Sequence, residues 1–93
     1  MKAEKLYTEL VDIFKDTPLR KSDKQRKENM YRAARDTCAK YLKEVEMSQD
    51  IEDKTKCYLI SRCITKSEFT ANLNSYQYAE YTMRAIKAVF GIF

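Results

Sequence analysis

Ninety-three residues, 44% of them hydrophobic, suffice for one domain and leave no room for a second core. A single Gly and a single Pro exclude the turn-rich chemistry of an all-β domain, and no apolar run approaches the roughly 18 residues that a membrane span needs. Lys and Arg exceed Asp and Glu by 18 to 14, a net charge of +4 that permits a nucleic-acid partner without demanding one.

The opening "MKAEKLYTEL" lacks the continuous apolar core of a secretory signal, so the expected location is cytoplasmic. Within "LYTELVDIF", Leu6, Leu10, Ile13 and Phe14 recur at helical spacing and predict a first amphipathic helix. Thr17–Pro18 ends it, because a residue before proline is pushed out of α geometry. Ser22 then offers an N-cap, with Gln25 three residues on to complete a capping box. A second helix is predicted from about Asp23 to Met47, with Met30, Ala34, Cys38, Tyr41, Leu42 and Val45 as its core stripe. Its first two turns project beyond that stripe.

"MSQD" makes the next break, with Ser48 or Asp50 as the cap of a third helix starting near Ile51. "NLNS" at 72–75 breaks the chain again, and Asn74 or Ser75 can cap a fourth helix. Ala79, Met83, Ile86, Val89, Phe90 and Phe93 form the buried stripe of that helix. Four amphipathic helices with short connections predict an all-α protein, an antiparallel up-down four-helix bundle over residues 1–93. Three long helices, the third and fourth segments forming one bent helix, are the alternative.

The third helix differs from the rest. At about 100° per residue, Cys57, Ile60, Ile64 and Ala71 share one side, while Ile51, Tyr58, Phe69 and Leu73, with Arg62 among them, share the opposite one. Two apolar faces need two partners. The second partner is either a neighbour within the bundle or another subunit, and Tyr58, Arg62 and Phe69 are the residues expected at a subunit interface.

Chemistry-bearing sets are scarce. Cys38, Cys57 and Cys63 form no CxxC pair, and without any His a zinc site would need three thiolates and a carboxylate. The cysteines read as small buried hydrophobes of a reducing compartment. The absence of His also removes the usual general base. Glu44, Glu46, Asp50 and Asp53 crowd the turn between helices two and three, at an end of the bundle, and read as loop solvation and capping. The sole glycine, Gly91, cannot build a phosphate-cradling loop. No enzyme, catalytic residue, metal or cofactor is expected.

Charge is the remaining signal. In "RKSDKQRK", Arg20, Lys21, Lys24, Arg26 and Lys27 stand against Asp23 alone, and Tyr31 and Arg35 continue the same sector of the second helix. Clustered bases with an interleaved aromatic suit phosphate contact and base stacking. The same region also admits a solvated face neutralised by Glu28–Arg32–Asp36 and Lys40–Glu44 at i,i+4 spacing.

Three passages carry a resemblance. "LYTELVDIFKDTPLRKSDKQR", "YRAARDTCAKYLKEVEMSQDIEDKTKCYLISRCITKSEFTANL" and "AIKAVFGIF" resemble the four-helix-bundle family that includes the accessory variability determinant of diversity-generating retroelements and the ribosomal intervening-sequence proteins. The likeness lies in an aromatic-rich first helix with a basic approach to the second, a Glu68–Phe69 step, and a close on hydrophobics, Gly91 and Phe93. The chain departs from that family at Lys87–Ala88, where the family has a glycine-arginine step. The resemblance implies a homopentameric barrel of bundles that binds RNA and a reverse transcriptase without doing chemistry itself. The expected function is therefore an oligomeric RNA-binding accessory protein with no membrane association. The alternative is a small helical inhibitor or immunity protein of a microbe or virus, with Tyr76, Tyr78 and Tyr81 as anchors for a protein target.

Overall fold

The structure is a computed structural model that describes the backbone of residues 1–15, 24–73 and 78–91, with the side chains of those residues other than 70–73 and 78–81. The described chain is all-α, with four helices and no strand among the described residues. They are α1 (Lys2–Phe14), α2 (Lys24–Val45), α3 (Ile51–Leu73) and α4 (Tyr78–Val89). Each packs on its neighbours in the chain, and α1 also packs on α3 and α4. No helix among the described residues is long and apolar enough to cross a membrane.

The helices begin and end for local reasons. Asp50 Oδ1 accepts the backbone N–H of Asp53 at 3.1 Å, so Asp50 caps α3, while Ser48 Oγ accepts the N–H of Asp50 at 3.1 Å and shapes the approach. Both residues expected at that break are used. α2 stops at Val45, two residues short of the expected Met47, which is 90% exposed in the turn. α3 runs through Asn72 and Leu73, so the helix outlasts the first half of the expected "NLNS" break. Gly91 ends α4 at φ +74°, a left-handed conformation that glycine adopts without a Cβ penalty. Ser22, Asn74 and Ser75, the other expected caps, lie outside the described residues, and Gln25 sends its amide forward to Asn29 Oδ1 at 3.1 Å.

The core follows the apolar stripes. Ala3, Leu6, Leu10 and Phe14 of α1 meet Tyr31, Ala34, Cys38, Tyr41 and Val45 of α2, Cys57, Ile60 and Ile64 of α3, and Ile86 of α4. Fully burying a side chain such as Leu10 or Ile60 contributes about 1.5–3 kcal/mol. Met30 and Leu42, placed by periodicity in the core of α2, are only half-buried, and Tyr31 takes the central position instead. Phe14 meets Tyr31 edge-on, ring centroids 5.6 Å apart, and Tyr7 meets Phe90 the same way at 5.6 Å, joining α1 to α2 and to the end of α4.

Candidate nucleic-acid and assembly surfaces

The basic sector of α2 divides when its side chains are placed. Lys24 and Arg26 are exposed in the first turn and Lys27 is half-buried behind them, while Arg20 and Lys21 lie outside the described residues. The first turn of α2 holds no acid. Arg35 stays exposed but is tied to its neighbours: its Nε lies 3.5 Å from Glu68 Oε1 on α3 and donates to the Tyr31 carbonyl at 3.4 Å.

Tyr31 corrects the expectation of a stacking aromatic. It is 1% exposed, its ring packed on Phe14 and its hydroxyl 2.5 Å from Ser67 Oγ, so it offers no face to a base. Ser67 in turn hydrogen-bonds Thr82, and the three buried hydroxyls join α2, α3 and α4. The three hydroxyls that the core removes from water there are each other's partners. No sequence-based expectation covered this network; Ser67 lies on the inner stripe of α3 beside Ile60 and Ile64, and a polar residue there signals a buried partner without naming it.

The expected i,i+4 pairing on α2 is replaced by pairing between helices. Lys40 turns to Glu9 at 3.3 Å rather than to Glu44, and Glu44 meets Lys2 at 3.4 Å, so both ion pairs tie α2 to α1. No ion pair joins Glu28, Arg32 and Asp36 among the described residues. The Tyr41 hydroxyl donates to Glu9, which holds the Glu9 carboxyl below its usual range and pushes the Tyr41 phenol up to about 12.

Burial is the main cause that pushes the Cys38 thiol up to about 12 and the Cys57 thiol to about 11, and it raises Cys63 as well. All three are free thiols, held protonated at neutral pH and therefore poor nucleophiles.

α3 keeps its second apolar face open. Ile51 is 67% exposed, Tyr58 55% and Phe69 69%, and Leu59 and Arg62 are exposed beside them. The Arg62 guanidinium sits 6.0 Å from the Tyr58 ring centroid. An open groove of about 600 Å³ adjoins this face, running from Thr55 and Tyr58 across to Leu42 and Val45 on α2. The four-helix core leaves this face uncovered. The side chains of Tyr76, Tyr78 and Tyr81, the alternative protein-binding anchors, lie outside the described residues.

Comparison with known proteins finds no matching family model, no matching curated protein and no matching solved structure.

Proposed function

We propose that this protein is a non-enzymatic, homo-oligomeric RNA-binding accessory protein, built as an antiparallel up-down bundle and acting in the cytoplasm. This is the role expected from the retroelement family that the sequence resembles, and a reverse transcriptase is the corresponding protein partner. One observation carries the RNA-binding part: the first turn of α2 holds Lys24, Arg26 and Lys27 and no acid. A helix N-terminus is the positive end of the helix dipole, and each base placed there is unfavourable by about 0.3–1 kcal/mol. The helix itself is opposed by that arrangement, whereas a phosphate backbone is attracted by the bases and the dipole together. The open face of α3 supports the oligomeric part, since a large exposed apolar surface marks a site of association.

The test is a salt titration of RNA retention by the full chain. If the oligomer contacts six to eight phosphates, affinity falls on the order of a thousandfold between about 50 and 200 mM salt. A flat salt response, or no RNA retained at low salt, rejects the RNA-binding role. Stoichiometric capture of a protein after nuclease treatment, with no nucleic acid present, favours the inhibitor class instead.

A further inference from the structure

The open face of α3 has a symmetry of its own. Ile51, Thr55, Tyr58, Arg62, Thr65 and Phe69 follow one another at spacings of four, three, four, three and four, the seam spacing of a coiled coil, and all six are exposed. The series is also symmetric about residue 60, with an apolar residue at each end, Thr55 and Thr65 inside those, and Tyr58 and Arg62 at the centre.

We infer that this face docks onto the same face of a second copy of the chain, the two α3 helices running antiparallel about a twofold axis beside residue 60. The inference rests on the homo-oligomeric part of the proposed function and specifies the interface. In an antiparallel seam, positions equidistant from the axis meet, so Ile51 of one copy packs on Phe69 of the other and Thr55 on Thr65. Tyr58 meets Arg62 of the other copy, extending between chains the cation–π geometry already present within one chain at 6.0 Å.

Charge selects the direction. The residues flanking an antiparallel seam face their own kind across the axis, which places Glu52 beside Lys66 of the other copy and Leu59 beside its symmetry mate on one edge. On the other edge Lys54 lies beside Glu68 of the other copy. Both edges are therefore complementary, and each ion pair occurs twice. Within one chain Glu52 pairs with Lys56 at 2.9 Å, Lys54 donates to the Glu46 carbonyl at 2.9 Å and Glu68 meets Arg35 at 3.5 Å; Glu52 is exposed, while Lys54 and Glu68 are half-buried at the margin of the face. A parallel seam would set Arg62 directly against Arg62 and bring Lys54 to Leu59 and Ser61 to Lys66, with no acid opposite a base. Only the antiparallel arrangement satisfies the seam and both edges together.

The experiment uses the full chain. Light scattering at about 100 µM, which populates a dimer whose Kd lies in the low micromolar range, is expected to give twice the 11.0 kDa chain mass. Phe69→Asp is expected to raise the dimer Kd at least about thirtyfold with helical circular dichroism retained, since the dimer would then bury two carboxylates where two apolar rings had packed. Lys66→Glu is expected to weaken the dimer roughly tenfold, and Glu52→Lys in the same chain to restore it. In a Cys63→Ser background, Thr55→Cys mixed with Thr65→Cys is expected to give a disulfide-linked heterodimer under mild oxidation, while neither variant alone links to itself. A wild-type monomer at that concentration overturns both this interface and the oligomeric reading. A dimer that links 55 to 55, an assembly of five chains, or an oligomer indifferent to Phe69→Asp overturns this interface and leaves the oligomeric reading standing.

Discussion

Asp53 Oδ1 accepts the backbone N–H of Ala3 at 2.8 Å, so a carboxylate in the first turn of α3 caps a helix that begins fifty residues earlier. Its Oδ2 accepts the N–H of Lys2 at 3.0 Å. Met1 supplies no side-chain cap, and Asp53 takes that role from across the bundle, only 5% exposed. The negative charge also stands at the positive ends of two helices at once. Asp53→Ala removes two charge-assisted hydrogen bonds and leaves the buried Ala3 N–H unpaired, and is expected to cost roughly 2–3 kcal/mol in urea denaturation. Asp53→Asn keeps one oxygen acceptor and is expected to cost about half as much. Equal losses for the two variants would contradict the capping role.

Tyr31→Phe separates the core role of this residue from any role in RNA binding. The ring and its packing on Phe14 survive, and only the hydroxyl that meets Ser67 is removed. Stability is expected to fall by about 1 kcal/mol, the scale of one net hydrogen bond, with RNA retention unchanged. Tyr31→Ala, which opens a cavity, is expected to cost about 3–5 kcal/mol. Loss of RNA binding in a fully folded Tyr31→Phe protein would show that the hydroxyl serves RNA rather than the core alone.

Alkaline pH is expected to destabilise the protein progressively from about pH 9 upward. The Cys38 thiol is raised from its ordinary 9.0 to about 12 and that of Cys57 to about 11, chiefly by burial. The unfolded chain therefore releases these protons first, and stability falls as pH rises above 9, through the folded values. Tyr41, raised from 10.0 to about 12 by its hydrogen bond to Glu9, adds a loss of the same sign above pH 10. Urea midpoints should be level between about pH 7 and 8.5 and drop steadily from about pH 9.5. The drop should be shallower in Cys38→Ala, measured against that variant's own neutral value.

Replacing Lys24, Arg26 and Lys27 with Gln tests the α2 entrance. Surface changes of this kind usually alter stability by no more than about 0.5 kcal/mol, and relieving like charge at a helix N-terminus acts in the stabilising direction. The melting temperature should hold or rise slightly. RNA binding should weaken, and the salt slope should shrink by up to about one unit for each phosphate that is no longer neutralised. Binding as tight as that of the unmodified protein would make these bases a solvated cap and nothing more.

What the sequence determined by itself is whatever depends on residues close together in the chain. Helical periodicity placed Leu6, Leu10, Cys38, Val45, Cys57, Ile60, Ile64 and Ile86 in the core, and "MSQD" located the turn with its capping Asp50. The second apolar face of α3 was legible in the same way, because the angle between Ile60 and Phe69 around a helix axis follows from their spacing alone. Tertiary structure decided everything that turns on rotation about that axis or on a partner far along the chain. Met30 and Tyr31 lie one step apart, about 100°, and only the placement of Phe14 and Ser67 selects Tyr31 for the core. Local spacing offers Lys40 the acid Glu44, but packing of α1 on α2 brings Glu9 within 3.3 Å and takes Glu44 to Lys2. Asp53 suits the first turn of its own helix in any reading of the sequence, yet the docking of α1 turns its carboxylate toward Lys2 and Ala3. A long-range polar pairing leaves no periodic trace in one sequence, since its two ends are brought together only when apolar stripes elsewhere have packed.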